Sequence, residues 1–467
     1  MHGYEVISEN DEERPLLTYS SPTAPGFWMS LLRDPNDELS QLDTSGSAPE
    51  DRWNMVWMIH LLLGIGLLLP WNAYITADDY YESLWAGNNF TFWLSIAYNY
   101  PAIVFLLLNI RYGRSFPFGS RIFLGFAFLS ACVVFVPIIT SVFGADADQT
   151  GKDVSYWLTL ASVFLSGCFA SMLFGTVLGM ASVFPMTMIT AVMSGNGISG
   201  VLIGLLRIIT KVSFPNTVDG LRNSSIVYFV IAAVVLVVCA FSFVLLLKNR
   251  YGLYYLALNV KSCKQTDLDL DPDDKEKMIL PAEADKTQQA VSYLAVFKKI
   301  WIEALEVFWV FFVTLTIFPG LTLQIPSQFG PQFDAWFGIL LIFDFQLFDY
   351  VGRTCPRWLV LFSSKTLWLP VLLRTAFILL FLMCIPPMRI ITIDGFPYLF
   401  MALFAWSNGY CGTLSMMYGP TRVADHEKET AGAIMSFALN LGIWAAVQFA
   451  VLVDYLVVQG QKNAGLD

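Results

Sequence analysis

Eleven long blocks of apolar residues, separated by shorter polar stretches, run through the chain from residue 55 to residue 457. A helix needs about twenty apolar residues to cross the hydrocarbon core of a bilayer. The blocks cover residues 55–75, 92–110, 122–143, 156–184, 188–209, 226–247, 307–321, 336–351, 367–385, 398–418 and 431–457. This pattern predicts an all-α, polytopic membrane protein with eleven transmembrane helices.

One long polar stretch, residues 248–299, interrupts the apolar blocks after the sixth. It contains the run TDLDLDPDDKEK and predicts a flexible cytoplasmic loop. The expected organisation is a cytoplasmic tail (1–50), a six-helix bundle (51–247), this loop (248–299), a five-helix bundle (300–458) and a short non-cytoplasmic tail (459–467).

The composition agrees with a membrane protein, since 56% of the residues are hydrophobic and 14% are charged. Soluble domains usually carry about a quarter charged residues. The net charge of -10 comes mostly from the N-terminal tail and the central loop, and no basic stripe suggests nucleic acid. The seven cysteines lack metal-ligand spacing, and no phosphate-binding or nucleophile motif is present. We therefore expect no metal, no cofactor and no enzymatic activity.

Lysine and arginine near the block ends predict the orientation, because cytoplasmic loops carry an excess of both. With a cytoplasmic N-terminus, Arg111, Arg114 and Arg121 fall on the cytoplasmic side together with most of the other basic residues. The two glycosylation sequons, at Asn89 and Asn223, then fall on the opposite side, where glycosylation occurs. The first residues lack the apolar core of a signal peptide, so the first span itself should direct insertion.

Three polar residues of the eighth span, at or just beyond the end of its apolar block, are candidates for chemistry. Asp349 and Arg353 are four residues apart and share a helical face with Gln346. Ionisable residues within a span usually face the bundle interior or a water-filled cavity. The three would form a polar strip along a permeation pathway. Alternatively, the pair is a buried ion pair that locks two helices, or Arg353 extends to the cytoplasmic interface.

The first block ends in Pro70, Trp71 and Asn72. A proline at membrane depth can free backbone groups, which only protein or a cavity satisfies. Trp71 and Asn72 would then offer an aromatic face and an amide to a ligand, although an interfacial tryptophan is the alternative. Similar interruptions occur at Pro101, at Pro185 and at Phe318–Pro319, and broken helices concentrate around transporter binding sites.

Three further features have simpler interpretations. His60, one turn into the first span, fits a hydrogen-bonded packing residue, with a pH sensor as the alternative. Small residues in MSGNGISG and AGAIM predict close helix approach. The tail segment EERPLL resembles an acidic dileucine sorting signal, through Glu12, Leu16 and Leu17. It predicts recognition by clathrin adaptors and a lysosomal or vacuolar membrane, with the plasma membrane as the alternative.

Five motifs, taken in order, resemble the equilibrative nucleoside transporters (solute carrier family 29). They are LLPWNAYITADDYY, MSGNG, FPGLT, FDYVGR, and SNGY followed by GPTRVADHEKETAGAIM. The resemblance extends over nearly all of the apolar chain, from residue 51 to about residue 458. It implies a bundle of six plus five helices like that of the major facilitator superfamily, with one central cavity that opens alternately to each side.

The resemblance also implies a substrate site. Its residues match the family's motifs in spans one, two, seven, eight and eleven, and they are Leu68, Trp71, Asn72, Ile75, Asn99, Phe318, Pro319, Gln346, Asp349, Arg353 and Ile443. The implied function is transport of nucleosides such as adenosine or uridine, and of nucleobases as an extension, either facilitative or proton-coupled. The resemblance also implies that the protein is surrounded by membrane lipid.

Two departures from the family pattern bear on the substrate. The family's base-binding Gln of span four is replaced here by Phe174, with Ser171 one turn away, so stacking, Ser171 or Asn99 would recognise the base. The cation-carrying branch has an acid in span five where this chain has Asn196, which predicts a neutral substrate. An organic-cation or monoamine carrier of the same fold is the alternative, and a non-transporting scaffold or receptor is the alternative of another class.

Overall fold

The computed structural model describes residues 46–85, 90–113, 118–143, 148–215, 217–269, 292–386 and 388–463, together with residues 39, 42 and 44. The predicted sorting signal (Glu12, Leu16, Leu17) and the sequon at Asn89 lie outside these residues. The described part of the chain is helical, without strands.

The first half contains α1 (Met55–Thr76), the short α2 (Asp78–Leu84), α3 (Phe90–Tyr112), α4 (Phe118–Val142), α5 (Gln149–Val183), α6 (Met186–Ser213) and α7 (Val218–Leu246). The helix α8 (Arg250–Asp269) follows. The second half contains α9 (Tyr293–Ile317), α10 (Pro331–Thr354), α11 (Trp368–Leu373), α12 (Ala376–Leu382), α13 (Gly395–Tyr418) and α14 (Lys428–Asn463).

Each predicted apolar block coincides with a helix or, for the ninth block, with a pair of helices. Eight of the described helices are long and apolar enough to cross a membrane. The ninth block differs from the prediction of one continuous span, because it forms α11 and α12 with a break at Arg374 and Thr375. The helix α10 is less apolar because it carries four charged residues, Asp334, Asp344, Asp349 and Arg353.

Local sequence explains several helix ends. Side-chain oxygens of Asp148, Thr217 and Ser292 accept hydrogen bonds from backbone N–H groups in the first turns of α5, α7 and α9. Such N-caps satisfy donors that the helix itself leaves free. Pro185 separates α5 from α6.

Two expected helix interruptions are wrong. Pro70 and Pro101 lie inside continuous helices, so α1 extends to Thr76 and α3 extends to Tyr112. Packing against neighbouring helices tolerates a proline that would otherwise break the helix. The chain does leave the helix at Phe318, directly after α9 ends at Ile317.

Helices within each half pack along glycine-rich seams. In the first half α1 packs along α6, and in the second half α10 packs along α13. A Cβ atom on Gly195 of α6 would lie 2.8 Å from the backbone nitrogen of Ile65, and one on Gly409 of α13 would lie 2.6 Å from that of Arg353. These seams therefore require residues without side chains, as the motif MSGNGISG predicts for α6.

The predicted flexible loop at residues 248–299 is wrong at both ends, because residues 250–269 form α8 and α9 already begins at Tyr293. This helix packs on the link between α5 and α6, where the ring centroids of Phe184 and Tyr255 are 5.7 Å apart. It also holds the end of the N-terminal tail, since Lys261 donates to the Thr44 hydroxyl at 3.1 Å. Long-range contacts thus stabilise a segment whose own sequence is too polar to predict a packed helix.

The two halves meet mainly along three helix pairs, α6 with α10, α5 with α14 and α3 with α14, and α6 also touches α13. The contact of α6 with α10 lies at the middle of the bundle, where a Cβ on Gly197 would lie 2.8 Å from the Cα of Tyr350. The contact of α5 with α14 lies at the end where α5 finishes and α14 begins, and we call this the lower end. The positive-inside pattern predicts that the lower end is cytoplasmic.

Candidate functional site

The centre of the candidate site is an ion pair within α10. Arg353 Nε donates to Asp349 Oδ2 at 2.5 Å, as their spacing of one helical turn allows. Asp349 is 3% exposed and Arg353 is 6% exposed, so both charges lie inside the protein. Charged groups at this depth are stable only when they are paired and hydrogen-bonded.

Asn408 of α13 extends this pair to two more helices. Its side-chain amide donates to the second carboxylate oxygen of Asp349 at 2.7 Å. Its own side-chain oxygen accepts from the hydroxyl of Thr314 in α9 at 2.7 Å. The ion pair therefore belongs to a hydrogen-bond network that ties α9, α10 and α13 together.

Arg374 completes the network from the break between α11 and α12. It is 2% exposed, and its guanidinium donates to the Val310 carbonyl at 2.9 Å, to Thr314 at 2.8 Å and to Ser407 at 3.0 Å. Sequence reasoning missed both Arg374 and Asn408. An arginine inside an apolar block was the available signal, because charged residues at membrane depth are costly and have a specific role.

Gln346 lies where the two halves of the bundle touch. It is half-buried, and its side chain lies against Gly200 of α6, where any Cβ atom would overlap it. In the neighbouring position of α6, Ser199 accepts a hydrogen bond from the amide of Asn72 in α1 at 3.0 Å. Polar groups of α1, α6 and α10 therefore meet at the junction of the halves.

An aromatic and aliphatic face of α1 lies beside this junction. Leu68, Trp71 and Ile75 are spaced as neighbours on one helical face, and all three are half-buried. The Trp71 ring lies 4.9 Å from the Tyr98 ring, centroid to centroid. Phe174 of α5 and Ile443 of α14 are also half-buried and pack against the same hydrophobic cluster as Trp71. Trp71 is therefore part of an aromatic pair inside the bundle.

Two residues predicted to recognise the base, Asn99 and Ser171, form hydrogen bonds within their own helices. The amide of Asn99 donates to the Ser95 carbonyl at 2.9 Å, and the Ser171 hydroxyl donates to the Cys168 carbonyl at 2.9 Å. Neither side chain joins the network around Asp349. Such local bonds compete with any bond to a ligand.

Phe318 and Asn196 are also enclosed by protein. The Phe318 ring stacks on Phe345 of α10 at 4.0 Å, while Pro319 beside it is exposed. Asn196 is 2% exposed, and its side-chain amide lies 4.0 Å from the sulfur of Met193.

His60 of α1 is also buried. Its Nδ1–H donates to the Val56 carbonyl at 2.8 Å, which fits the interpretation of His60 as a hydrogen-bonded packing residue.

Ionic and aromatic contacts close the lower end between the halves. Arg121 of α4 donates to Glu429 of α14 at 3.1 Å. The guanidinium of Arg357, just after α10, lies 4.1 Å from the Trp57 ring of α1. Sequence reasoning placed Arg121 in a cytoplasmic loop without a partner, because a partner 308 residues away leaves no local signal.

Comparison with known proteins identifies the family. A family model described as "Nucleoside transporter" matches residues 160–455, more than half of the chain. The chain belongs to the nucleoside transporter family. This membership agrees with the resemblance seen in the motifs and with the expectation that the chain is a carrier and not an enzyme.

Individual members of the nucleoside transporter family align over most of the chain. Equilibrative nucleoside transporter 2 of Homo sapiens is 28% identical over 88% of this chain and 99% of that protein. Equilibrative nucleoside transporter 1 of Rattus norvegicus is 29% identical over 89% of this chain and 100% of that protein. Equilibrative nucleotide transporter 1 of Arabidopsis thaliana is 29% identical over 89% of this chain and 88% of that protein.

Solved structures show the fold of this nucleoside transporter family member. The major facilitator superfamily transporter FucP, in the outward conformation, superposes with a TM-score of 0.56 at 11% identity, over 86% of this chain and 92% of that one. The proton:xylose symporter XylE, bound to 6-bromo-6-deoxy-D-glucose, gives a TM-score of 0.59 at 11% identity, over 88% and 92%. The predicted major-facilitator-like bundle is confirmed.

Proposed function

We propose that the protein carries nucleosides such as adenosine and uridine across a membrane by alternating access, with the substrate held at the junction of the two halves. The polar network around Asp349 and Arg353 carries this proposal, because it places charged and hydrogen-bonding groups at the middle of an apolar bundle. A scaffold has no need of such a network, whereas a carrier of a polar solute does.

The chemistry of a nucleoside matches the two sides of the junction. Its ribose hydroxyls can donate to Asp349, since each carboxylate oxygen has a second lone pair beyond the bond that it already accepts. Its flat base can stack on Trp71, a contact worth about 1–3 kcal/mol. Leu68, Ile75, Phe174 and Ile443 supply apolar walls, and Gln346 supplies an amide between the two sides.

Closure of the lower end supports the alternating-access part of the proposal. Arg121, Glu429, Trp57 and Arg357 hold the halves together there. Transport requires a second state in which these contacts separate while the opposite end closes. The likeness to FucP in its outward conformation is consistent with a lower end that is closed in this state.

The proposed orientation places the lower end and the N-terminal tail in the cytoplasm, and both sequons on the other side. Asn223 is exposed in the first turns of α7, as a glycosylated residue must be. The tail signal of Glu12, Leu16 and Leu17 would then face clathrin adaptors and direct the protein to a lysosomal or vacuolar membrane. The plasma membrane remains the alternative address.

Uptake into vesicles tests the proposal directly. The purified full-length protein, reconstituted in liposomes, should take up radiolabelled adenosine and uridine, and unlabelled nucleoside should accelerate the exit of preloaded label. A monoamine serves as the competing substrate. Transport of the monoamine in preference to adenosine would establish the cation carrier instead, and the absence of any uptake would favour a scaffold.

A further inference from the structure

A buried glutamate of α9 has no role in the site described above. Glu306 is 4% exposed. Among the described residues, no hydrogen-bond donor reaches its Oε1 atom, and its Oε2 atom accepts only a long bond of 3.5 Å from Ser415 of α13. A buried polar atom without a partner is uncommon in native proteins and calls for an explanation.

The charges around Glu306 are already paired with one another. Glu303, one turn earlier on α9, is bound by Arg422 at 2.8 Å. Lys299 is bound to Glu427 at 2.7 Å, and Arg121 is bound to Glu429. Glu306 is therefore a carboxyl group without a bound cation beside the complete ion pair of Glu303 and Arg422, and the two other pairs lie closer to the lower end.

The remaining groups that interact with Glu306 come from α13. The titratable side chains of α13 near Glu306 are the buried Cys411, one turn before Ser415, and Tyr418 nearer the lower end of the same helix. An ionised carboxylate here would be desolvated and repelled by Glu303, and the nearby cation, Arg422, is already bound to Glu303. A proton on the carboxyl group removes both the desolvation cost and the repulsion. The neutral acid is therefore favoured while the site is enclosed.

Glu306 lies between the network and the closed lower end. One turn above it, the Val310 carbonyl accepts from Arg374. Below it, the Glu303 partner Arg422 belongs to the link between α13 and α14, and Glu429 at the start of α14 makes the contact with the first half. Separation of the halves at the lower end would admit water to this link, and water stabilises the ionised carboxylate.

We propose that Glu306 is the proton-binding site of a proton-coupled transporter and carries one proton with each substrate molecule. This inference rests on the proposed nucleoside transport and deepens it. A proton bound as the O–H of Glu306 stays while the lower end is closed. When the lower end opens, the O–H bond breaks, the proton passes to water and the carboxylate remains. The carboxylate takes up a proton again from the opposite side before the next cycle.

Proteoliposomes containing the full-length protein and an internal pH-sensitive dye test this inference. Addition of adenosine outside should acidify the interior in proportion to adenosine uptake. With the membrane potential clamped at zero, an inward gradient of one pH unit should support accumulation of about tenfold, because one coupled proton transmits a tenfold concentration ratio. Glu306→Gln, which mimics the neutral acid, should keep exchange of adenosine for adenosine and lose both the acidification and the accumulation.

Two further variants make the result specific to Glu306. Glu306→Asp restores an acid and should recover substrate-driven acidification. Asp219→Asn removes an exposed carboxylate of α7 and should leave the coupling unchanged. If the wild type exchanges adenosine but moves no protons, or if Glu306→Gln moves them as well as the wild type, the proton site is rejected while nucleoside transport stands. A wild type that exchanges no nucleoside overturns the transport proposal itself.

Discussion

Asn408 donates its side-chain amide to Asp349 at 2.7 Å, across 59 positions of sequence. This bond occupies the carboxylate oxygen that Arg353 leaves free, so both oxygens of Asp349 have partners in the protein. The carboxylate is thereby held in one orientation between α10 and α13. A fixed carboxylate is better suited to bind a substrate hydroxyl than a mobile one, because less entropy is lost on binding.

We expect Asp349→Asn and Arg353→Gln each to reduce nucleoside uptake by roughly tenfold or more, since a hydrogen bond to a charged group contributes about 1.5–3 kcal/mol. Abundance should stay largely intact, and the double variant should transport no better than either single one. Uptake normalised to the amount of protein in the membrane measures this. The opposite pattern would show that the pair is structural. In that case each single variant would lose about 3–5 kcal/mol of folding stability and would be less abundant, and the double variant would recover.

The substrate offers an independent test of the same pair. A 2′,3′-dideoxynucleoside lacks the hydroxyls that would bind Asp349 and Arg353. In wild type it should compete with labelled adenosine little better than the free base does. Equal competition by the dideoxynucleoside and the ribonucleoside would place the ribose away from this pair.

Arg374 should prove structural. We expect Arg374→Lys to lower the melting temperature and the abundance, because an ammonium group cannot serve the Val310, Thr314 and Ser407 oxygens in the fork geometry of a guanidinium. Leaving a buried acceptor without its donor costs about 1–3 kcal/mol. Thermal stability in detergent measures the effect. Arg222→Lys, at the exposed start of α7, is the matched control and should melt like wild type.

Asn196→Glu should favour cationic substrates over nucleosides, because a fixed negative charge in a low-dielectric interior attracts cations strongly. Competition of adenosine with a monoamine measures the preference. Asn196 is enclosed, so Asn196→Gln controls for size. If Asn196→Glu and Asn196→Gln change the preference equally, charge at this position does not select the substrate.

The N-terminal tail and Asn89 should lie on opposite sides of the membrane, since α1 separates them. Glycosylation of single-sequon variants, combined with protease protection of a tag on the tail, measures this. Modification of Asn89 or Asn223 on the same side as the tail would contradict the proposed topology.

Replacing Leu16 and Leu17 with Ala should move the tagged protein toward the plasma membrane. An unchanged distribution in the same cells would show that the dileucine signal is not used.

The sequence by itself determined the apolar blocks and the spacing within each block. Both are local properties, because the length of an apolar run sets whether a helix can span the bilayer and because residues four apart share a helical face. Each apolar block therefore falls on a helix or helix pair, although α9 begins at Tyr293, well before its block at 307, and Asp349 meets Arg353 as their spacing predicts. The small residues of MSGNGISG in α6 and of AGAIM in α14 likewise predicted close packing without naming the partner helices.

The tertiary structure decided which distant groups complete the site. Asn408 reaches Asp349, and Thr314 and Arg374 reach Asn408, only because α9, α10, α13 and the break between α11 and α12 converge, and no local pattern encodes that convergence. The same holds for α8, whose polar sequence becomes a helix on the link between α5 and α6, and for Pro70 and Pro101, whose helices continue because their neighbours support them. Local spacing determines which residues lie on the same helical face. The partner of a buried polar atom depends instead on which distant helices pack against it.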